Sequence, residues 1–367
     1  MSAIVKNIVI VTSEFPPQPG GIGNHAYNLA LYLSKNNFNV QVIADQRSET
    51  GEDEMVFDQG LGFEVLRIKR YDFRFKMYIK RIALTYKSLK RATAVIATGK
   101  FSLWNVAVCS IFIKCRTLAV IHGTEVNFKS YFIKKSIDKA LKRFDVIIAV
   151  SSYTKDLISH LNLKVAVIPN GIDVSQWDPD SISEIEIKGH PILTTVGRVS
   201  SRKGQLNVIK QLPQLVKEFP DLHYHCIGIP TEAEAFKKTA KSLNVLNHIT
   251  FHGSLDILAL KQILKKTDVF VMLSSESITG DVEGFGIAIL EANAMGVPAI
   301  GSKGCGIEDA IKTAHSGVLI DTDDTMSFKN GIESIMNDNA RYHEASRNWA
   351  KQHDWSRIIK RYIAYLT

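Results

Sequence analysis

Short apolar runs recur along this chain, each followed by a stretch of helical spacing, and the whole alternation happens twice. IVIVTS at 8–13 and VQVIAD at 40–45 begin the series, and residues 94–97, 118–121, 146–150 and 165–168 continue it. ILTTVG, HYHCIG, HITFHG, DVFVML and PAIGS repeat the habit between 192 and 302. Strands this uniformly apolar need cover on both faces, and intervening helices let successive strands pair in parallel. The expected class is α/β, a doubly wound parallel sheet built twice. Residues 24–35 illustrate a covering helix, with Ala26, Leu29, Ala30 and Leu33 on one face and Asn24 suited to cap its start.

At 367 residues the chain is long for one core, so two domains are expected. The break falls at 171–189, where VSQWDPDSISEIEIKG loses periodicity. We place the first domain at 1–172, a linker at 173–189 and the second domain at 190–351, with a last helix at about 352–367. Hydrophobic content of 45% and charged content of 22% fit a soluble globular protein. No apolar stretch is long enough to span a bilayer, and the first residues reach Glu14 without the pattern of a secretory leader. The four cysteines show no zinc spacing and read as reduced thiols, which points to the cytoplasm.

The net charge of +8 is divided unevenly, +11 over residues 1–170 and −3 over the rest. It peaks at 67–91, from Arg67 to Arg91, where ten basic residues accompany one acid. Within that stretch Ile79, Ile82, Tyr86 and Leu89 follow helical spacing, with Lys80, Lys87 and Arg91 on another face. Such a surface is either an ordinary solvated helix face or a site for anionic lipid head groups or an anionic acceptor. No nucleic-acid-binding signature accompanies the charge.

Three loops carry the chemistry. ESITGDVEGFGIAILEANAMGVP, residues 276–298, follows an apolar strand and leads into a helix at 287–295. Its backbone N–H groups and the positive helix end suit a phosphorylated or polyhydroxylated ligand. Glu283 in the loop and Glu291 in the helix lie a little over two turns apart and can face one ligand from two depths. Read alone, they serve equally as a solvated loop acid and a helix acid paired with a buried cation. GRVSSRKG sets Arg198 and Lys203 at a strand's carboxyl end, where a forked arginine contact and a lysine point charge can neutralise a diphosphate. In the first half, Gly20, Gly21 and Gly23 permit close backbone approach to a ligand, and His122 ends the strand LAVI in IHGTE. Asn170 and Gly171 close the last strand of that half and are expected at the seam between domains.

GGIG at 20–23, HG at 122–123, PNGID at 169–173, GRVSSRKG at 197–204 and EGFGIAILE at 283–291, in that order, resemble family 4 glycosyltransferases, also called group 1. DWSRIIKRYIAYL is similar to the family's closing helix, which returns to the first domain. The resemblance implies the GT-B fold, with two Rossmann-like domains facing a central cleft, the first for acceptor and the second for donor. It also implies a retaining, metal-independent hexosyltransferase that uses a GDP- or UDP-sugar, with no other cofactor. Arg198 and Lys203 would hold the donor diphosphate, Glu291 the ribose and Glu283 the sugar, helped by backbone groups of Gly284, Phe285 and Gly286. Gly21 and Gly23 would close on the phosphates and His122 would lie beside the reacting sugar. DVEGFGI is similar to the matching loop of mannosyltransferases acting on phosphatidylinositol, which points to mannose or a related hexose. The acceptor would be lipid-linked or a polysaccharide, and the enzyme would work at the inner membrane surface in glycolipid, capsule or lipopolysaccharide synthesis.

Three other readings compete. Gly21, Gly23 and Ala26 fit the fingerprint GxGxxA, and Asp45 ends the second strand where a ribose-binding acid of an NAD-dependent dehydrogenase belongs. Against it, three prolines separate Ser13 from Gly20, whereas a dinucleotide turn follows its strand directly. A nucleotide-sugar epimerase of related fold would need no acceptor, and a catalytically silent binding protein would need neither Glu283 nor His122.

Overall fold

The computed structural model describes residues 6–70, 74–277 and 280–366. Residues 1–5 of the leader reading, 71–73 of the basic stretch, 278–279 of the glycine-rich loop and 367 of the last segment lie outside the described residues.

The chain forms two compact units, residues 1–171 with 355–367 and residues 172–354. In the first, β1 (Asn7–Thr12), α1 (Gly21–Lys35), β2 (Asn39–Asp45), α2 (Glu52–Gln59), β3 (Glu64–Ile68) and α3 (Arg74–Leu89) are followed by β4 (Ala94–Thr98), α4 (Lys100–Cys109), β5 (Arg116–Ile121), α5 (Tyr131–Leu141), β6 (Val146–Ala149), α6 (Ser152–Asp156) and β7 (Val165–Val167). All seven strands pair in parallel in the order β3-β2-β1-β4-β5-β6-β7. The apolar strands dictate this arrangement: every residue of β4 is buried, as is the sequence Ile8 to Val11 of β1. Strand order reverses between β1 and β4. Right-handed crossovers therefore put α1 and α2 on one face and α3, α4 and α5 side by side on the other.

The second unit contains β8 (Ile192–Val196), α7 (Gln205–Glu218), β9 (His223–Ile227), α8 (Ala233–Ser242), β10 (Ile249–Gly253), α9 (Ile257–Lys266) and β11 (Val269–Met272). It continues with α10 (Ile287–Ala294), β12 (Ala299–Ser302), β13 (Gly317–Ile320), α11 (Thr325–Asn337) and α12 (Asn339–Gln352). Its six parallel strands run β10-β9-β8-β11-β12-β13, again reversing beside the first strand. The last helix, α13 (Trp355–Leu366), rejoins the first unit and packs on α1. Its anchors are Trp355, stacked on Tyr32 with ring centroids 6.1 Å apart, and Tyr362, whose hydroxyl lies 3.0 Å from His25 Nε2.

Two local expectations change. Helix α1 begins at Gly21 with Gly20 as N-cap, so Asn24 sits inside the first turn, where its N–H bonds the Gly20 carbonyl at 2.9 Å. On α3 only Leu89 of the expected apolar stripe is buried; Ile79, Ile82 and Tyr86 are exposed, whereas Arg81 and Thr85 face inward. Arg81 makes a forked ion pair with Asp45 at the end of β2, which explains why a basic side chain, and not Ile82, occupies the inner face.

Gly204 shows how tightly the second unit is built at its strand ends. It has φ +84°, and a Cβ there would lie 2.1 Å from the Leu273 carbonyl oxygen. Gly204→Ala should lower unfolding free energy by about 2–4 kcal/mol through backbone strain and steric overlap. Urea unfolding measures this, and a loss below about 0.5 kcal/mol would show that the loop relaxes freely.

Candidate active site

In the second unit the loops after β8 and β11 meet. Past β8, Gly197 takes φ +143° and the buried Gln205 side chain ties the loop: its Nε2 donates to the Arg198 carbonyl at 3.2 Å, and its Oε1 accepts the Ser200 N–H at 3.2 Å. A 3-10 turn at Ser201–Lys203 then aims two cations at one acid. Arg202 Nη1 and Lys203 Nζ lie 2.6 and 2.7 Å from the same oxygen, Oε2, of Glu283. Burial alone would push the Glu283 carboxyl up; the charges of Lys203 and Arg202 and their hydrogen bonds outweigh it and hold the group below the ordinary carboxylate range. Arg202 is the residue that sequence reasoning passed over, although it stands next to Lys203 in the same motif. Arg198 is exposed, and its guanidinium has no hydrogen-bond or ion-pair partner among the described residues.

Gly286, at φ +89°, caps the start of α10 and its carbonyl accepts the Ile289 N–H at 3.0 Å, so the positive end of the helix follows the Glu283 loop directly. The loop itself is held from behind, by the Gly306 N–H donating to the Glu283 carbonyl at 3.0 Å. Gly306 has to be glycine, because a Cβ would lie 2.0 Å from the Gly284 carbonyl oxygen. Phe285 is expected to offer its backbone, and its side chain has a separate task. Its side chain is 2% exposed and lies against His353, ring centroids 6.1 Å apart, so it anchors the loop in the core and only its backbone is left to meet a ligand. Glu291, one helical turn further in, is half-buried, and its carboxyl has no hydrogen-bond or ion-pair partner among the described residues. Desolvation raises its carboxyl to about 7, with Lys203 pulling the other way.

In the first unit, the carboxyl ends of β1, β4 and β5 form a second group. His122 follows β5; its Nε2 lies 2.8 Å from Thr98 Oγ1, and its ring stands edge-on to His25 at 4.8 Å. Burial lowers its pKa to about 3, so the imidazole is neutral and acts as a hydrogen-bonding group. Gly21 is exposed with open space where a Cβ would be, whereas a Cβ on Gly23 would lie 3.2 Å from the Phe15 nitrogen. Gly21 thus permits close approach to the helix start, and Gly23 fits tightly against its own preceding loop. Asp45 is buried and taken by Arg81, which removes the ribose-binding acid that the dehydrogenase reading needs.

Glu125 is a further buried group that IHGTE contained without signalling it. It is 0% exposed; Oε1 accepts the His122 N–H at 2.5 Å, and Oε2 has no partner. Burial pushes its carboxyl up to about 7, against the pull of backbone N–H bonds and of Lys100. Among the described residues no group of three or more His, Cys, Asp or Glu side chains is placed to hold a metal ion.

The chain matches the family model for glycosyl transferases group 1 over residues 179–352 and that for glycosyltransferase family 4 over residues 19–176. It belongs to glycosyltransferase family 4. The relatives include a GDP-mannose-dependent alpha-(1-6)-phosphatidylinositol monomannoside mannosyltransferase of Mycolicibacterium smegmatis, 27% identical over 94% of this chain and 93% of the relative. A monoacylated-substrate counterpart from Corynebacterium glutamicum is 26% identical over 93% and 91%. Among solved structures, Anabaena HepE in complex with UDP and glucose superposes with a TM-score of 0.78 at 16% identity, covering 98% of this chain and 99% of that one. This family 4 chain is therefore a glycosyltransferase of the GT-B fold.

Glu125 gives this glycosyltransferase a pH-dependent cost. Its folded pKa of about 7 lies above the ordinary 4.5, so the stability it contributes is full below 4.5 and is lost as pH rises through 7. Glu125→Gln should therefore gain stability relative to the parent by about 1–3 kcal/mol on going from pH 5 to pH 8.5. Chemical denaturation at both pH values measures this, and a difference independent of pH would contradict it.

Proposed function

We propose that this glycosyltransferase moves mannose or a related hexose, with retention of anomeric configuration and without a metal, from a nucleotide-diphosphate sugar to a lipid-linked or polysaccharide acceptor. The observation that carries the reading is the Arg202–Glu283–Lys203 cluster beside the start of α10. Breaking a glycosyl phosphate bond builds negative charge on the departing diphosphate, and fixed cations with a helix N-terminus are what stabilise it. Arg198 and Lys203, joined by Arg202, hold the diphosphate. Arg198 is exposed and unpaired, ready for an anion, whereas the other two are neutralised by Glu283 until a more highly charged group arrives.

Glu291 receives the ribose hydroxyls, for which a carboxyl with no internal partner is suited. Glu283 orients the sugar through its second oxygen, and the backbone of Gly284, Phe285 and Gly286 adds donors. The neutral His122 bonds a sugar hydroxyl, and Gly21 lets the α1 start approach the phosphates. The GDP-mannose dependence of the Mycolicibacterium smegmatis and Corynebacterium glutamicum relatives favours that donor here, and their phosphatidylinositol mannoside substrates favour a glycolipid acceptor. We place the enzyme in the cytoplasm, in glycolipid, capsule or lipopolysaccharide synthesis, with its basic 67–91 region toward an anionic inner membrane surface. Among the described residues no helix is long and apolar enough to cross a membrane.

A thermal-shift panel of GDP, UDP, ADP, NAD and their sugar conjugates, with EDTA present, tests the donor class. A nucleotide at 100 times its dissociation constant stabilises the fold by about 2.7 kcal/mol; the expected responders are GDP and GDP-mannose, and a response to NAD alone would overturn the reading. In kinetics, Glu283→Gln should reduce turnover at least about tenfold while changing nucleotide affinity less than about threefold, whereas Arg198→Ala should weaken both. Equal losses of nucleotide affinity in the two variants would remove the separate role given to Glu283.

A further inference from the structure

Three helices lie side by side on one face of the first sheet, and their outer surfaces are unusual. On α3, Phe75, Ile79, Ile82 and Tyr86 are 71%, 52%, 41% and 36% exposed. Spaced by three or four residues, they form one stripe along the helix. The neighbouring α4 and the turn after it expose Phe101, Val108, Ile111 and Phe112, the last at 71%. Helix α5 opens with Tyr131 and Phe132, at 67% and 83%. Contacts link the helices along this surface: Tyr78 of α3 meets Phe101 of α4 at 5.7 Å, Phe101 meets Trp104 on the same helix at 6.0 Å, and the Trp104 indole N–H donates to Ser136 Oγ on α5 at 3.2 Å. The apolar residues thus belong to one supported layer, and exposed apolar surface on this scale marks an interaction site.

The charges around it choose the partner. Neither α3 nor α4 contains an acidic residue, and α5 has only Asp138, half-buried and bonded to His160. Lys80, Lys87 and Lys90 on and beside α3, and Lys135 and Lys139 on α5, are exposed. The expected basic patch is thereby redrawn. Arg67 is paired with Asp58 at 2.7 Å and Arg81 with Asp45, so neither reaches outward. A face of aromatic and aliphatic side chains ringed by lysines and almost free of acids would repel a second copy of itself, and suits an anionic bilayer.

We propose that α3, α4 and the start of α5 form a docking face whose apolar side chains enter an anionic phospholipid bilayer, with the lysines at the head-group level. This rests on the reading of a lipid-linked acceptor and goes further, since attachment depends on inserted apolar groups and not on the 67–91 charge alone. The face has a productive orientation. Helices α3, α4 and α5 all start at the carboxyl end of the sheet, the end at which His122 and Gly21 also lie. Phe75, Phe101, Tyr131 and Phe132 occupy those first turns. A bilayer held there keeps a lipid head group next to the residues assigned to the reaction.

The full chain is tested by co-sedimentation with vesicles of phosphatidylcholine alone and of phosphatidylcholine with phosphatidylglycerol. Phe75→Ser, Phe112→Ser and Phe132→Ser are combined in one variant, and Lys80→Glu, Lys87→Glu and Lys90→Glu in another. The parent should bind the anionic vesicles, and each variant should bind at least about tenfold more weakly, with unchanged melting temperature and unchanged response to nucleotide. A serine variant that binds like the parent overturns insertion while leaving a purely electrostatic contact intact. Parent protein that binds neither vesicle overturns the docking face, and a parent oligomer that the serine variant dissolves assigns the face to a second copy instead. The nucleotide response is read in the same samples, so failure of the donor reading is seen separately.

Discussion

Parallel strands need helical cover on both faces, and much of the rest follows from that requirement. Each crossover helix returns the chain to the same edge, so the loops after β1, β4 and β5, and again those after β8 and β11, gather at carboxyl ends where helices begin. Backbone N–H groups without internal partners are concentrated there. The reversals of strand order beside β1 and β8 open a gap between neighbouring loops, and both groups of candidate residues occur at such a reversal.

Within the second unit, electrostatic matching does what packing cannot. Two cations on one turn would repel each other if Glu283 did not lie between them, and Glu283 would be costly to bury without them. The cluster balances its own charges and yet stays exchangeable, because both cations converge on one oxygen of Glu283. Glu291 is the complement: a carboxyl raised to about 7 by desolvation and left without a partner. Such an arrangement gives up internal stability.

The first unit treats its buried polar groups differently. His122 and His25 are kept neutral by burial, and Glu125 holds the His122 backbone through a carboxyl whose other oxygen is unsatisfied. Apolar side chains on α3, α4 and α5 of the same unit are left exposed. Stability is given up in both places, inside at a titrating acid and outside at unburied hydrophobic surface.

The sequence determined the element alternation, because strands buried on both faces must be apolar throughout, and it displayed the motifs that mark the family. Two of the four edge strands escaped it: β3 is largely half-buried and interrupts its apolar residues with Glu64 and Arg67, and β13 is a short GVLI segment outside the runs that read as strands. It also named Glu283, Glu291, Arg198 and Lys203, since the glycines around them are legible as loops. Pairing is another matter. That Arg202 shares Glu283, that Arg81 turns inward to Asp45 while Ile79 and Ile82 turn outward, and that Phe285 is a core anchor were decided by tertiary structure. Helical spacing fixes which residues share a face but not which face a sheet will cover, and a charge is buried or exposed according to whether the fold brings its partner within reach.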